Sequence, residues 1–463
     1  MLQKIRSLLI KQLIRGFKAT RLDRTSSDWV TSPIKTNEDI KNNLEVLITR
    51  SRDLSKNNSD YRKWLSMRSK NIIGENGIKV NFKSRNDTGE LDKVANYILH
   101  NEFESWSKLS SGAVSVDGLH SWRTFTDLVD RTFAIDGEAI VRIVPRRNRW
   151  GISLQLIDTM LLDVGYNVKH TKYSNEIVMG VEIDSDGRPV RYHFRRDVDY
   201  YGRTVDRIAV PAEQIIHYYK PEFVGQVRGF PMASAAILDM NMLNGYMEAE
   251  LIAARISACQ MAVWEVPENA SSKLKFDDNA DTEKYTVDME PGKFAVGPRG
   301  WKLNSLNPVH PGQNVGGFIK SVLRRISGGL SVSYNDFAND LEGVNFSSLR
   351  AGTLSERDGW KISQKNLGEQ VCERVVTAWL QMVLLMGITP LPLGKFDKFN
   401  NYQFRFRRWD WVDPLKDIKA HEAAINLGIV APQDIIEARG DDPEEIAEKI
   451  REWKILTKNE VEK

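Results

Sequence analysis

The 463-residue chain is poor in the residues from which catalytic and metal centres are usually built. Its two cysteines, Cys259 and Cys372, are too far apart to form a disulfide framework, a usage that suits a reducing compartment. Seven histidines are scattered, and none completes HExxH, because His421-Glu422 lacks the second histidine. GxxxxGK(S/T), a GxGxxG opening a helix and GxSxG are all missing, which argues against an ATP-driven motor and an α/β-hydrolase. Long hydrophobic runs are missing too. The most apolar one, VVTAWLQMVLLMGI (Val375–Ile388), is too short to span a bilayer and reads as the buried end of a helix. No signal peptide is expected. Charge of one sign is scarce, since 65 basic against 62 acidic residues leave only +3, too little to grip nucleic acid through overall charge.

What is present is 41% hydrophobic residues over a length that allows more than one domain. MLQKIRSLLIKQLIRGFKAT at the start has five basic and no acidic residues; it reads as a basic arm, with a presequence or membrane-surface helix as alternatives. Apolar spacing predicts helices over Asn37–Lys56, Asp60–Ile73, Leu91–Trp106 and Ser121–Phe133, with the extended GIKVNF among them. EAIVRIVP, ISLQLID, EIVMGVEID and RPVRYHF then alternate as strands. The SDGRP between the last two is a hairpin turn, because Asp-Gly supplies positive φ. Together these predict an α+β unit with a mostly antiparallel sheet.

MASAAILDMNMLNGYMEAELIAARISA after Pro231 predicts a helix of about 26 residues, roughly 40 Å long. It is apolar around most of its circumference, so it needs neighbours on several sides, either core or copies of itself. Cys259–Pro311 reads as a small β-rich insertion. In GGFIKSVLRRISGGL, Ile319, Val322, Leu323, Ile326 and Leu330 form one apolar stripe, and Lys320, Arg324 and Arg325 fall on the opposite side. That basic side on its own is an ordinary solvated helix face. A long helix is predicted from about Ser347 to Met386, and short helices beyond Asp413.

Between these helices lies YNDFANDLEGVNFSSLR (Tyr334–Arg350), whose Asp336, Asp340 and Glu342 are the remaining candidates for a carboxylate site. Spacings of four and then two fail the EF-hand pattern, and no catalytic partner accompanies them. A loop capping the following helix through Asn345 or Ser347 is the plainer reading, and a metal-dependent nuclease using the three acids is the enzymatic alternative.

An ordered set of strings resembles the lambda family of tailed-bacteriophage portal proteins. ITRSRDLSKNN (Ile48–Asn58) and NIIGENGIKV (Asn71–Val80) resemble its arginine-rich helix and glycine turn, and DGEAIVRIV (Asp136–Val144) its Gly-Glu strand. GVEIDSDGRPVRYHF and VPAEQIIHYYKPEFVGQVRGFP (Val210–Pro231) resemble the hairpin and the Gly-Gln-x-Arg-Gly-x-Pro string. LSVSYNDFANDLEGVNFSSLRAG resembles the S-Y-x-x-L…D…N-Y-S-S-x-R segment, with Phe337 for leucine and Phe346 for tyrosine. WVDPLKDIKAHEAAINLGI with GDDPEE matches the C-terminal end. The similarity runs from about residue 40 to 450, and the first 30 residues carry no specific match.

The resemblance implies a non-enzymatic, ring-shaped oligomer, a dodecamer in the particle, at one capsid vertex of the virion. Double-stranded DNA would be packaged and ejected through it. It would dock the terminase large subunit, the head–tail connector, and the major capsid protein or scaffold, with assembly in the host cytoplasm. No cofactor, metal or small-molecule substrate is implied. The parts expected are a basic N-terminal arm (1–30), a wing (31–230 and 351–412) and stem helices (231–257 and 312–331). A β-rich clip (258–311), a tunnel loop (332–350) and an α-helical crown (413–463) complete the set. Lys320, Arg324 and Arg325 would line the channel; Asn335, Asp336, Asp340, Glu342 and Asn345 would lie in or beside the loop.

Overall fold

The computed structural model describes residues 33–169, 175–198, 204–258, 262–265, 302–305, 315–342, 346–409, 414–439 and 443–461. The expectations for the N-terminal arm, for most of 258–311 and for Asn345 fall outside them.

Helices α1 (Thr36–Asn57), α2 (Ser59–Arg68), α3 (Lys93–Ser107) and α4 (Trp122–Asp136) stand close to their predicted bounds. Local chemistry sets their ends. Asn58 caps α2 by accepting from Tyr61 N, and Ser121 and Thr124 form a reciprocal capping box at the start of α4. A π-helical turn, Ser69–Ile73, continues α2. Strand β1 (Lys79–Phe82) pairs antiparallel with β11 (Tyr402–Arg405) from the far end of the chain.

The long helix predicted from Ser347 is present as α8 (Phe346–Leu367), a π-helical turn (Gly368–Cys372) and α9 (Glu373–Leu385). The turn is placed where a Cβ on Gly368 would meet the Phe406 ring at 3.0 Å, so glycine lets that ring close on the helix. The apolar run of α9 is core: Val375, Val376, Trp379, Leu380 and Val383 are fully buried. Trp379 packs edge-on against Phe103 at 5.1 Å, within a nest that includes Phe82, Trp106 and Trp122. Among the described residues no helix is long and apolar enough to cross a membrane.

Strands β2 (Glu138–Pro145), β3 (Ile152–Ile157) and β8 (Ile215–Tyr219) form an antiparallel sheet in the order β3-β2-β8. A second sheet runs β4 (Glu176–Val178), β5 (Val181–Ile183), β6 (Pro189–Val198), β7 (Thr204–Pro211) in chain order. The Asp-Gly hairpin stands, with Gly187 at φ 81° and Asp184 Oδ1 accepting from the backbone N–H of Asp186 and Arg188. EIVMGVEID, however, is two strands rather than one. The chain reverses at Met179 (φ 48°) and Gly180 (φ 81°), the positive-φ pair of a tight hairpin. Methionine is a poor residue for that conformation. Its side chain is fully buried beside Ile40, Leu44 and Ile48, and this packing offsets the local strain.

After Pro231 the helix is shorter than expected. Residues 232–236 are turns that bury Ala233 and Ala236, and α5 spans Ile237–Ala258, about 33 Å. Strands β9 (Ala262–Glu265) and β10 (Lys302–Ser305) pair antiparallel, so the two ends of the inserted segment meet. Helix α6 (Val315–Gly329) lies against α5, with Tyr246 and Phe318 edge-on at 5.4 Å. The one-turn helix α7 (Tyr334–Ala338) and the C-terminal helices α11 (Pro414–Asn426), α12 (Pro432–Ala438) and α13 (Pro443–Val461) complete the fold; α10 (Phe396–Phe399) precedes β11.

Candidate functional site

Helix α6 carries its predicted stripe inward. Ile326 and Leu330 are buried, and Ile319, Val322 and Leu323 pack on the same core. The three basic side chains emerge on the other side, and each has a partner. Lys320 Nζ lies 2.8 Å from Glu342 Oε2 and 3.1 Å from Asp340 Oδ2. The Arg324 guanidinium sits over the Tyr334 ring at 4.9 Å. Arg325 Nε reaches Asp239 of α5 at 2.7 Å while most of its side chain remains exposed. At 100° per residue, Lys320 and Arg325 project roughly 140° apart, so α6 is tied to the acidic segment on one flank and to α5 on the other.

The acidic segment is held by its own geometry. Tyr334–Ala338 of this segment is the one-turn helix α7, and the described residues after it, 339–342, are non-helical. Asn339 ends α7 in the left-handed region at φ 52°, which asparagine tolerates, and its side-chain oxygen accepts from Lys63 at 2.6 Å. Asp340 N donates to Asn335 O at 3.1 Å, and Tyr334 OH donates to Asp340 Oδ2 at 2.8 Å. Donation from Tyr334 and Lys320 holds the Asp340 carboxyl down at about 2, and the bonds to Glu342 and Asp340 push Lys320 above its ordinary range.

Asp336 takes a different partner, Glu356 of α8, whose Oε1 also accepts from Trp360 Nε1 at 3.1 Å. Burial and the neighbouring Asp336 charge raise the Glu356 carboxyl to about 7. The three candidate acids therefore divide, two on Lys320 and one against Glu356. Among the described residues no group of three or more His, Cys, Asp or Glu could hold a metal ion. Because the folded state disfavours the Glu356 carboxylate, its contribution is complete at acidic pH and is lost as pH rises through about 7. Glu356→Gln is expected to keep the packing of α7 on α8 and to remove this loss, read as a smaller drop in melting temperature between about pH 5 and pH 8.

A second assembly, found in the sequence only as two separate strings, lies in the β2 sheet. Glu138 and Arg228 are both fully buried, with Arg228 Nε 2.8 Å from Glu138 Oε1 and 2.9 Å from Oε2. Arg228 also donates to the carbonyls of Met179, Leu162 and Thr159, while Gly229 N and His217 Nε2 stand 3.1 and 2.9 Å from Glu138 Oε2. The two strands of chain touch backbone to backbone: a Cβ on Gly137 would lie 1.9 Å from the Phe230 carbonyl carbon, and one on Gly229 2.1 Å from Gly137 O. The Gly-Glu and Gly-Gln-x-Arg-Gly-x-Pro strings are thus two halves of one joint. Each string carries one of the two charges beside a glycine, Glu138 after Gly137 and Arg228 before Gly229, and nothing local says that they meet.

Comparison with known proteins places these features in a family. Residues 22–364 match the family described as "Phage portal protein, lambda family". The "Probable portal protein" of Halomonas phage phiHAP-1 is 33% identical over 463 residues, covering 96% of this chain and 88% of that protein. "Portal protein B" of Escherichia phage lambda is 24% identical over 324 residues, 62% of this chain and 60% of its own length. Among solved structures, a chain from the neck of an empty gene transfer agent particle aligns with 90% of this chain and 97% of its own, at 10% identity and a TM-score of 0.44.

Proposed function

The chain belongs to the lambda family of phage portal proteins, and from this premise we propose that it forms the ring, dodecameric in the particle, through which double-stranded DNA enters and leaves the capsid. In this reading 31–230 and 351–412 form the wing, α5 and α6 the stem, the segment containing β9 and β10 the clip, 332–350 the tunnel loop, and α11–α13 the crown. The clip docks the terminase motor and later the head–tail connector, and the outer body meets the capsid protein or scaffold. The protein is assembled in the host cytoplasm and remains at the portal vertex of the virion.

The observation that carries the channel assignment is the pairing of Lys320 with Asp340 and Glu342. A conduit that neutralised many phosphates with free cations would hold DNA with steep, salt-dependent affinity. Here the basic face of α6 is offset by acids on the loop beside it, leaving Arg324 and Arg325 in a lining of mixed charge. Such a surface lets a duplex slide. Asn335 belongs to the same constriction in this reading, and Asn345, outside the described residues, is assigned to it by the family resemblance alone.

Asp340→Asn with Glu342→Gln removes the counter-charges and keeps the side-chain shapes. The expected outcome is rings of normal appearance, with packaging or retention of DNA impaired and a stronger, salt-sensitive hold on duplex DNA. Loss of rings from a folded variant, or packaging at the wild-type rate, would count against the assignment.

A further inference from the structure

A cleft of about 830 Å³ opens where the π-helical turn after α2, the start of β1, the first turn of α4 and the end of β11 meet. Its charged lining is Lys70, Lys79, Arg123, Arg405, Arg407 and Arg408 against one acid, Glu75. With 65 basic and 62 acidic residues in the whole chain, this six-to-one excess is a local feature. It is also distinct from the basic face of α6.

Three observations say that the excess is built rather than incidental. First, Lys79 and Arg405 are direct partners in the β1–β11 ladder. Like charges opposite one another on a sheet are destabilising, a cost that a neutral or acidic residue at either position would avoid. Second, two glycines at positive φ seat the arginine stems. A Cβ on Gly74 would meet Arg407 Cβ at 2.9 Å, and one on Gly77 would meet Arg123 Cγ at 2.8 Å. Third, Arg407 is pre-positioned, because its Nη1 donates to Asn71 Oδ1 at 2.7 Å, which also accepts from Trp409 Nε1 at 2.9 Å. Gln364 of α8 donates to the carbonyls of both Asn71 and Arg407.

The spacing and chemistry point to the ligand. Tyr402, Phe404 and Phe406 meet edge-on and tilted, with ring centroids 5.4 and 6.3 Å apart along their segment, so Arg405 and Arg407 alternate with them. Two residues of extended chain put their Cα atoms roughly 7 Å apart, a pair of planar forks suited to phosphate. Only Ile73 and Phe406 add apolar side chains to the lining. A docked protein segment needs buried apolar anchors, which this cleft hardly provides. Backbone recognition of a nucleic acid needs none.

We propose that this cleft is a second DNA-contact site, on the body of the subunit and outside the channel, that grips the phosphate backbone of duplex DNA without reading its sequence. That DNA is the polyanion at hand rests on the portal reading; the cationic cleft does not.

The test is fluorescence anisotropy of a short labelled duplex on the full-length protein across a salt series. The variant Lys70→Ala, Lys79→Ala, Arg123→Ala changes three exposed side chains and should melt as the wild type does. Its affinity should fall at least about tenfold at low salt, and its slope of log K against log salt should shrink by roughly two to three. Lys70→Arg with Lys79→Arg should bind like the wild type, as a charge contact requires. Lys320→Ala with Arg324→Ala is measured in parallel. If only this α6 pair weakens binding, the cleft proposal falls and the channel reading stands. Unchanged affinity and slope in the triple variant overturn the proposal. So does displacement of the duplex by poly-glutamate as effectively as by unlabelled duplex, which would mark a dock for an acidic protein segment.

Discussion

Arg228→Met is expected to destabilise the folded subunit by about 3–5 kcal/mol, the cost of leaving one partner of a buried ion pair without the other. Methionine fills comparable space, so the loss is electrostatic rather than a cavity. Glu138 would remain fully buried with its strongest donor gone, and the carbonyls of Met179, Leu162 and Thr159 would each lose the arginine donor, Thr159 keeping the one from Leu162 N. Urea unfolding followed by tryptophan fluorescence reads the loss. Replacing both partners, Glu138→Leu with Arg228→Met, should recover part of it, because the uncompensated charge is then absent. An unchanged midpoint for Arg228→Met would refute the role given to the pair.

The same joint sets a pH dependence. Burial alone would raise the Glu138 carboxyl, but Arg228, helped by His217, outweighs it and holds the group near 2 instead of 4.5. A depressed folded-state value means that the stabilisation is complete above about pH 4.5 and disappears as pH falls towards 2. At about 1.4 kcal/mol per pH unit the gap is worth on the order of 3 kcal/mol. The acid limb of the wild-type stability profile should therefore be steeper than that of Glu138→Gln.

Much of the fold is legible in the sequence because it is written locally. Ser121 and Thr124 announce α4, Asp186-Gly187 announces the β5–β6 hairpin, and the stripe from Ile319 to Leu330 faces the core as its spacing predicts. What is not legible is of two kinds. One is strain held by tertiary contacts: nothing local marks Met179 as a turn residue, and its burial against α1, with Asn167 and Arg228 bonded to its backbone, offsets the strain. The other is partnership across sequence distance. Periodicity puts Lys320, Arg324 and Arg325 on one side of α6, but it is silent on what each meets, and the Asp239, Tyr334, Asp340 and Glu342 partners come from both flanking segments. Glu138 with Arg228, and β1 with β11, are the same case at longer range. The resemblance to portal proteins flagged the Glu138 and Arg228 strings separately, without saying that they form one joint.

Met242→Asp with Ile252→Asp is expected to abolish ring formation while leaving the subunit folded. Along α5, Leu238, Met242 and Ile252 are 65%, 64% and 49% exposed. At 100° per residue they fall within roughly 40° of a common line, with the small Gly245 and Ala249 between them. Met240 and Leu243 are buried on the other side of the helix, and Asp239 and Tyr246 face α6, so none of the described residues covers this stripe. A neighbouring subunit is the partner the proposed ring supplies, through a heterologous contact that repeats until it closes. Burying such side chains contributes about 1.5–3 kcal/mol each, and an aspartate in their place adds the cost of desolvating a charge. Each subunit uses the contact once as donor and once as acceptor, so the penalty recurs at every interface and closure fails as a whole. Light scattering should report monomers or small oligomers, negative-stain images should lack rings, and the melting temperature of the isolated subunit should hold. Met242→Leu, which keeps the stripe apolar, should still form rings. Rings at wild-type abundance in the double aspartate variant would sink the assignment of this face to the subunit interface.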